Sequence, residues 1–393
     1  MKVLFSSLWV IFLVNDSLSS CIWNVNKDLP EKDALFIKKV GRKYKLYYPN
    51  STNMELQYRE GLIASCPGSK NYVSGFSDNA SFVKLSCVSG TIVTVDKQFQ
   101  KDIKDVSCTK NAVADVVKTN SVDTSTASRI LSVGFETEFG WLELYKVSYD
   151  FNTVTPLYSQ HVIHGSSLKG AYTGNTSRPG FRTNAVPSNV SWSKIFTKNH
   201  QRQVFAGILG EAKADTYLSS TYLSRGHLAP DADFHYRSWE IASYFYANVV
   251  PQWQSINQGN WLRVENAVRH KSKELQADLF VITGAEGVSS LEGNELYLDG
   301  SNVPVPKYMF KIVCTKSADC ISFVVINNPF ERDPVDVCRN VCSRQRDTSG
   351  WYLSSYDDAQ KGRVICCDVG ELKNAPGFKD ILPEISVNGI LRY

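Results

Sequence analysis

Ser224-Arg225-Gly226-His227-Leu228-Ala229-Pro230 sets a histidine two positions after an arginine, with a glycine between them and a proline closing the run. The stretch reads as the end of a strand entering a turn. A neutral histidine takes a proton from water near pH 7, and a guanidinium holds phosphate oxygens through parallel hydrogen bonds. One histidine among six is more often a hydrogen-bonded core residue. The setting argues for chemistry here, because Gly226 lets a backbone or ligand approach closely. Ser224 does not make a serine hydrolase, since no Gly-x-Ser-x-Gly surrounds it. His227 and His235 also lack the i, i+4 spacing of a helical zinc site.

Working outward, Asn257-Gln258-Gly259-Asn260-Trp261 with Glu265 forms a second polar set. Ser255 and Gln258 have capping-box spacing, and Trp261, Val264 and Val268 make an apolar stripe, so a helix is expected from Ser255. Asn257 is the candidate metal ligand, because a neutral amide oxygen suits a hard cation that keeps several waters. An asparagine there is otherwise a helix cap. Glu265 lies about 12 Å further along the helix axis. It therefore reads as a group meeting metal-bound water, or as a surface partner of Arg269 or a partner of Arg225. Acidic residues and an apolar pattern after Asp231 suggest a further helix.

Trp141 to Tyr149 and Thr155 to Ile163 alternate around a turn and read as a hairpin. Asp278 to Gly284, Tyr308 to Val313 and Ile321 to Ile326 read as strands. Strand clusters around a helical centre make the expected class α+β.

The 393 residues suffice for one large domain and a small one. Met1 to Ser20 has a charged start, a short apolar run and small residues before Cys21, the pattern of a secretory signal over 1–20. The run is too short to span a bilayer. No membrane or protein partner is expected, and the chain is expected to be secreted. All ten cysteines follow Ser20, which favours disulfides in an exported chain. Zinc is disfavoured by the spacing of Cys338, Cys342, Cys366 and Cys367. Sequons at Asn50, Asn79, Asn175 and Asn189 fit a secreted surface. Residues 21–127 read as a small disulfide-stapled β-rich module, ending in a Ser/Thr-rich linker from Lys118 to Ser128. Residues 128–393 form the body, with a cysteine-rich part over 314–393. The net charge of +4 permits a polyanionic partner without implying one.

The motifs resemble those of the DNA/RNA non-specific endonucleases, the ββα-metal nucleases typified by the Serratia nuclease and mitochondrial endonuclease G. Ser224 to His227 is similar to the family's Asp-Arg-Gly-His, and Ala247-Asn248-Val249-Val250-Pro251-Gln252 to its Ser-Asn-(Ile/Val)-(Thr/Ala)-Pro-Gln. Ile256-Asn257-Gln258-Gly259-Asn260-Trp261 resembles Leu-Asn-Gln-x-x-Trp. Thr283-Gly284 and Val305-Pro306 with Phe310-Lys311-Ile312-Val313 resemble later strands. The similarity covers residues 140 to 330. The Ser-Arg-Gly-His variant and the cysteine-bearing extensions most resemble those of secreted crustacean duplex-specific nucleases.

The resemblance implies a ββα-metal core and a Mg²⁺-dependent endonuclease, with Mn²⁺ or Ca²⁺ as possible substitutes. It implies DNA as substrate, duplex preferred, with RNA a further possibility, and 5′-phosphate products. His227 would be the general base, Asn257 the metal ligand, Arg225 a phosphate holder and Asn248 a supporting residue. Glu265 would meet metal-bound water or orient Arg225. Either Arg178 or Arg182 would be a second phosphate-binding arginine. Ser224 departs from the family's aspartate, which puts in doubt any mechanism needing that carboxylate. The alternatives are a sugar-non-specific nuclease and a secreted nucleic-acid binder without catalysis.

Overall fold

The computed structural model describes residues 20–76, 79–123, 128–174, 177–332 and 336–393. The expected signal segment, Ser20 apart, and the Asn175 sequon lie outside these residues. No helix among the described residues is long and apolar enough to cross a membrane.

The architecture is α+β with mostly antiparallel sheets. A six-stranded sheet runs in the order Lys43–Leu46, Leu35–Val40, Gly61–Ser65, Phe82–Ser89, Ile92–Val95, Phe99–Asp102. Disulfides Cys21–Cys87 and Cys66–Cys108 staple it. They close 66 and 42 residues of chain, worth roughly 4 kcal/mol each through lost unfolded-state entropy.

The large sheet has nine strands. The expected hairpin is Gly140–Asp150 paired with Thr155–His164. Thr155–His164 then pairs with Asp278–Val288, and that strand with Pro306–Cys314, Asp319–Ile326 and Val364–Cys367 in turn. The short strand Gly389–Ile390 joins in parallel. Cys338–Cys367 and Cys342–Cys366 cross-link the C-terminal part, and Cys314–Cys320 bridges two neighbouring strands. All ten cysteines are therefore paired, and none is left for zinc.

Three local expectations change. A strand, Asp115–Val122, runs into the start of the expected linker and pairs antiparallel with Arg129–Thr137. As an edge strand it leaves much of its surface to solvent, so its Ser/Thr-rich composition looked like a loop. The ladder runs across the expected boundary at residue 127. The helix expected after Asp231 is broken into a turn at Asp231–Asp233, a short helix Arg237–Ala242 and a turn at Tyr246–Asn248. Phe234, Tyr236, Trp239 and Phe245 are all buried in one core with the N-terminal sheet, so they follow no single helical face. Ser255 caps nothing: its hydroxyl is buried without a partner, and the helix begins at Gln254.

Candidate active site

Leu223–His227 and Val249–Trp253 form a separate two-stranded antiparallel ribbon, in which Gly226 faces Val250. The chain then enters helix at Gln254–Ile256, passes through wider turns at Asn257–Trp261, and continues as Leu262–Leu275. This β-β-α unit carries most of the expected site. A methyl group on Gly226 would lie 2.7 Å from Gln252 Cβ, so glycine permits the ribbon's close contact. The helix Lys198–Leu209, which the sequence did not announce, holds the ribbon's open edge. Gln201 accepts from Leu223 N at 2.8 Å and donates to Leu223 O at 2.7 Å. Asn327 fixes the other strand by accepting from Trp253 N and donating to Pro251 O.

His227 ends the ribbon half-buried, its ring 5.1 Å from Phe181 and 5.0 Å from Tyr244. Its Nε2 is buried with no hydrogen-bond partner. Burial behind these aromatic walls pushes its pKa down to about 4; Asp231 opposes the shift and Arg178 adds to it. The ring is neutral near pH 7 and has a free nitrogen.

Arg225, two residues earlier, is held by contacts that leave its charge unneutralised. Its Nε donates to Tyr246 Oη at 3.2 Å and Nη2 to Ser193 O at 3.5 Å. The guanidinium lies 5.0 Å from the Phe196 ring and 5.5 Å from that of Phe181. No carboxylate pairs with it among the described residues.

Ser224 accounts for the orientation of Asn257. Its hydroxyl donates to Gln252 O at 2.9 Å and accepts from Asn257 Nδ2 at 3.2 Å. A hydroxyl both donates and accepts, whereas a carboxylate only accepts. Serine thus fixes the Asn257 amide through Nδ2, and Oδ1 has no protein donor among the described residues. A single half-buried amide fits a cation that retains most of its water shell.

Asn248 is fully buried and clamps the segment after His227. It accepts from Ala229 N at 2.9 Å and donates to Ala229 O at 2.8 Å and Ser243 O at 3.0 Å. It positions the turn rather than facing solvent.

Glu265 and Arg269 are buried, not on the surface. Arg269 pairs with Asp233 at 2.7 Å, and Asp233 also meets His161 Nε2 at 2.8 Å. Burial alone would raise the Asp233 carboxyl, but His161 and Arg269 hold it well below the usual range. Burial pushes Glu265 up to about 7, against the pull of Lys311 and Arg269. Lys311 donates to Thr283 Oγ1 at 2.6 Å. Sequence reasoning missed this network. Its signals were Asp231 and Asp233 directly after the histidine motif, and Arg269 one turn beyond Glu265.

Arg178 and Arg182 separate clearly. Arg182 donates to Ala114 O at 2.7 Å and Ile241 O at 3.2 Å and stacks 3.8 Å from the Phe245 ring. These contacts tie the N-terminal part to the body and leave the group committed to structure. Arg178 is exposed, lines an open cavity with Asp231 and Tyr244, and acts electrostatically on His227.

The C-terminal part, to which the sequence assigned no chemistry, braces the Asn257 turn. Asn260 Nδ2 donates to Ser355 O at 2.6 Å and Gly362 O at 2.7 Å. Gly259 has non-helical angles, φ −90° and ψ −122°, and a methyl there would sit 2.6 Å from Lys361 O. Gly259→Ala is expected to cost about 1–3 kcal/mol through this clash and to lower activity by displacing Asn257. Thermal melting and plasmid cleavage check this; an unchanged melting temperature with full activity would contradict the bracing role.

A family model described as DNA/RNA non-specific endonuclease matches residues 126–379. The salivary endonuclease of Lutzomyia longipalpis is 31% identical over 329 residues, which span 82% of this chain and 74% of that protein. Salivary protein Tsal2A of Glossina morsitans morsitans is 25% identical over 96% of this chain and 95% of its own. The mitochondrial nuclease EXOG of Danio rerio is 29% identical over 42% of this chain and 52% of its own.

Proposed function

Since the chain belongs to the DNA/RNA non-specific endonuclease family and is a nuclease that hydrolyses nucleic acid, we propose that it is a secreted, Mg²⁺-dependent endonuclease cutting DNA with little sequence specificity and a preference for duplex. The observation that carries the reading is the grouping on one β-β-α unit of His227, neutral and with a free ring nitrogen, Arg225, paired with no carboxylate, and Asn257, its amide turned by Ser224.

In the reaction, His227 accepts a proton from water as the water oxygen attacks phosphorus. The bond to the 3′-oxygen breaks, giving a 5′-phosphate and a 3′-oxygen that takes a proton from solvent water to become a hydroxyl. Arg225 holds a non-bridging oxygen of the scissile phosphate by charge-assisted hydrogen bonds. Asn257 Oδ1 would hold Mg²⁺, which supplies charge stabilisation for the departing oxygen. Arg178 serves as the second phosphate-binding arginine. Glu265 and Arg269 act from behind through the charge network around Asp233. Contacts to phosphate rather than to base edges give weak sequence specificity. Secretion is supported by the 1–20 signal pattern, by five disulfides, and by relatives named as salivary.

The base assignment fixes the sign of a pH effect. His227 works only when neutral, so its contribution is present above its pKa and lost as pH falls through about 4. An ordinary histidine would lose it near 6.5. Glu265, held near 7, and Glu240, pushed up to about 8, also titrate close by. The expected kcat/KM profile keeps an acid limb near pH 4, and any limb near 7 to 8 disappears in Glu265→Gln or Glu240→Gln. A limb near 6.5 that survives both substitutions would rule against the buried-base description.

Substrate class is tested by cleavage rates on duplex DNA, single-stranded DNA and RNA at one salt concentration. Duplex DNA is expected to be cut fastest; RNA cut at the same rate would establish a sugar-non-specific enzyme instead.

A further inference from the structure

A cavity of about 400 Å³ is lined by Arg178 and by Tyr244, whose ring lies 5.0 Å from that of His227. Its lining holds the cations Arg178, Arg237, Arg269 and Lys273 against the carboxyls of Asp231 and Glu240. Neither Arg178 nor Lys273 has a carboxylate partner among the described residues. The excess of cations over carboxyls in the lining makes an anion the complementary occupant, and burial with the neighbouring cations Arg269 and Lys169 holds the Lys273 ammonium below its usual range. Arg237 lies 5.7 Å from the Tyr172 ring and donates to Ser177 O at 3.1 Å and to Glu240 at 3.3 Å. Burial pushes Glu240 up to about 8, which reduces its negative charge in the cavity near pH 7.

The outer wall, Ala171 to Gly174, is held from the N-terminal region. Asn26 donates to Ala171 O at 2.8 Å and accepts from Thr173 N at 2.7 Å and Thr173 Oγ1 at 3.1 Å. A methyl on Gly170 would lie 1.7 Å from Thr52 O, so the two parts meet without intervening space. Tyr172 N also donates to His235 O at 2.9 Å, which fastens the wall to the turn after His227.

We infer that this cavity is a subsite for the backbone phosphate next to the scissile one, contacted by Lys273 and Arg237, and that Asn26 is a positioning residue for its wall. The N-terminal region thereby acquires a role in substrate binding. A free phosphate ion shares the chemistry, but an open cavity whose Tyr244 wall also touches the reacting histidine suits a continuous strand. The inference rests on His227 marking the reacting centre.

The test uses the full chain with plasmid DNA, measuring KM and kcat across a salt series. Lys273→Gln is expected to raise KM several-fold and to flatten the slope of log(1/KM) against log[salt] by about 0.9, the value of one phosphate contact on duplex DNA. Arg237→Gln should flatten it similarly, and Arg237→Lys should restore it. Asn26→Ala is expected to raise KM about fivefold through loss of its hydrogen bonds, with the slope kept because no charge is removed. Melting temperatures of all variants separate misfolding from binding, and Lys273→Gln changes only a partly exposed side chain. An unchanged KM and slope in Lys273→Gln would overturn the subsite. Inhibition by inorganic phosphate that Lys273→Gln relieves, without any change in plasmid KM, would mark a free-anion site only and overturn it too. Wild type that leaves plasmid uncut would instead strike the nuclease reading itself.

Discussion

Replacing His227 with alanine is expected to lower kcat by about 10²- to 10⁴-fold, the usual contribution of a positioned general base. The loss should be chemical rather than structural. His227 Nε2 has no hydrogen-bond partner among the described residues, so no such bond is lost with the ring. The ring contacts Phe181 and Tyr244, and the turn beyond it is held independently by Asn248 through Ala229. KM for plasmid should therefore change little, because Arg225 and Arg178 remain. Single-turnover cleavage with a parallel melting curve checks both parts. A folded His227→Ala protein that cuts at the wild-type rate would remove histidine from the mechanism.

Asn257→Ala should produce a loss of about 10²- to 10³-fold, since charge stabilisation by a bound cation is worth several kcal/mol and each 1.36 kcal/mol is tenfold. It should also weaken Mg²⁺ binding measured by calorimetry without nucleic acid, a readout independent of turnover. Asn257→Asp keeps an oxygen donor but loses the amide that donates to Ser224, so it should retain Mg²⁺ binding while cutting more slowly. Mg²⁺ affinity equal in wild type and Asn257→Ala would move the metal elsewhere. Among the described residues no group of three or more histidine, cysteine or acidic side chains offers an alternative cage, so a site dominated by one amide oxygen makes the sharper prediction.

What the sequence conveyed depended on the range of the cause. The hairpin Gly140–Asp150 with Thr155–His164 was legible because alternation is local and one face is buried. The arginine-histidine pair was legible because both residues lie on one short strand. The turn at Gly259 was not, because the feature that requires glycine is the Lys361 carbonyl, far along the chain. Arg178 and Arg182 were indistinguishable for the same reason: the carbonyls of Ala114 and Ile241 decide which is committed. Glu265 and Arg269 looked like an exposed helical pair, since i, i+4 spacing does not report that Asp233 waits in the core. Cysteine count implied disulfides, but pairing required the fold to bring residues such as Cys21 and Cys87 together.

Ser224 is the residue whose meaning changed most. In sequence it departs from the aspartate that the family carries at this position. In the structure its hydroxyl bridges Gln252 O and Asn257 Nδ2, a double role an ionised carboxylate could not fill. The substitution leaves Arg225 without a neighbouring carboxylate, which favours an anionic substrate.

The central claim is most directly tested by incubating the purified full chain with supercoiled plasmid and Mg²⁺, alongside the same mixture with excess EDTA. Conversion to nicked, linear and then fragmented DNA bearing 5′-phosphates is predicted with Mg²⁺, and none with EDTA. Plasmid that stays supercoiled with Mg²⁺ present would contradict the account.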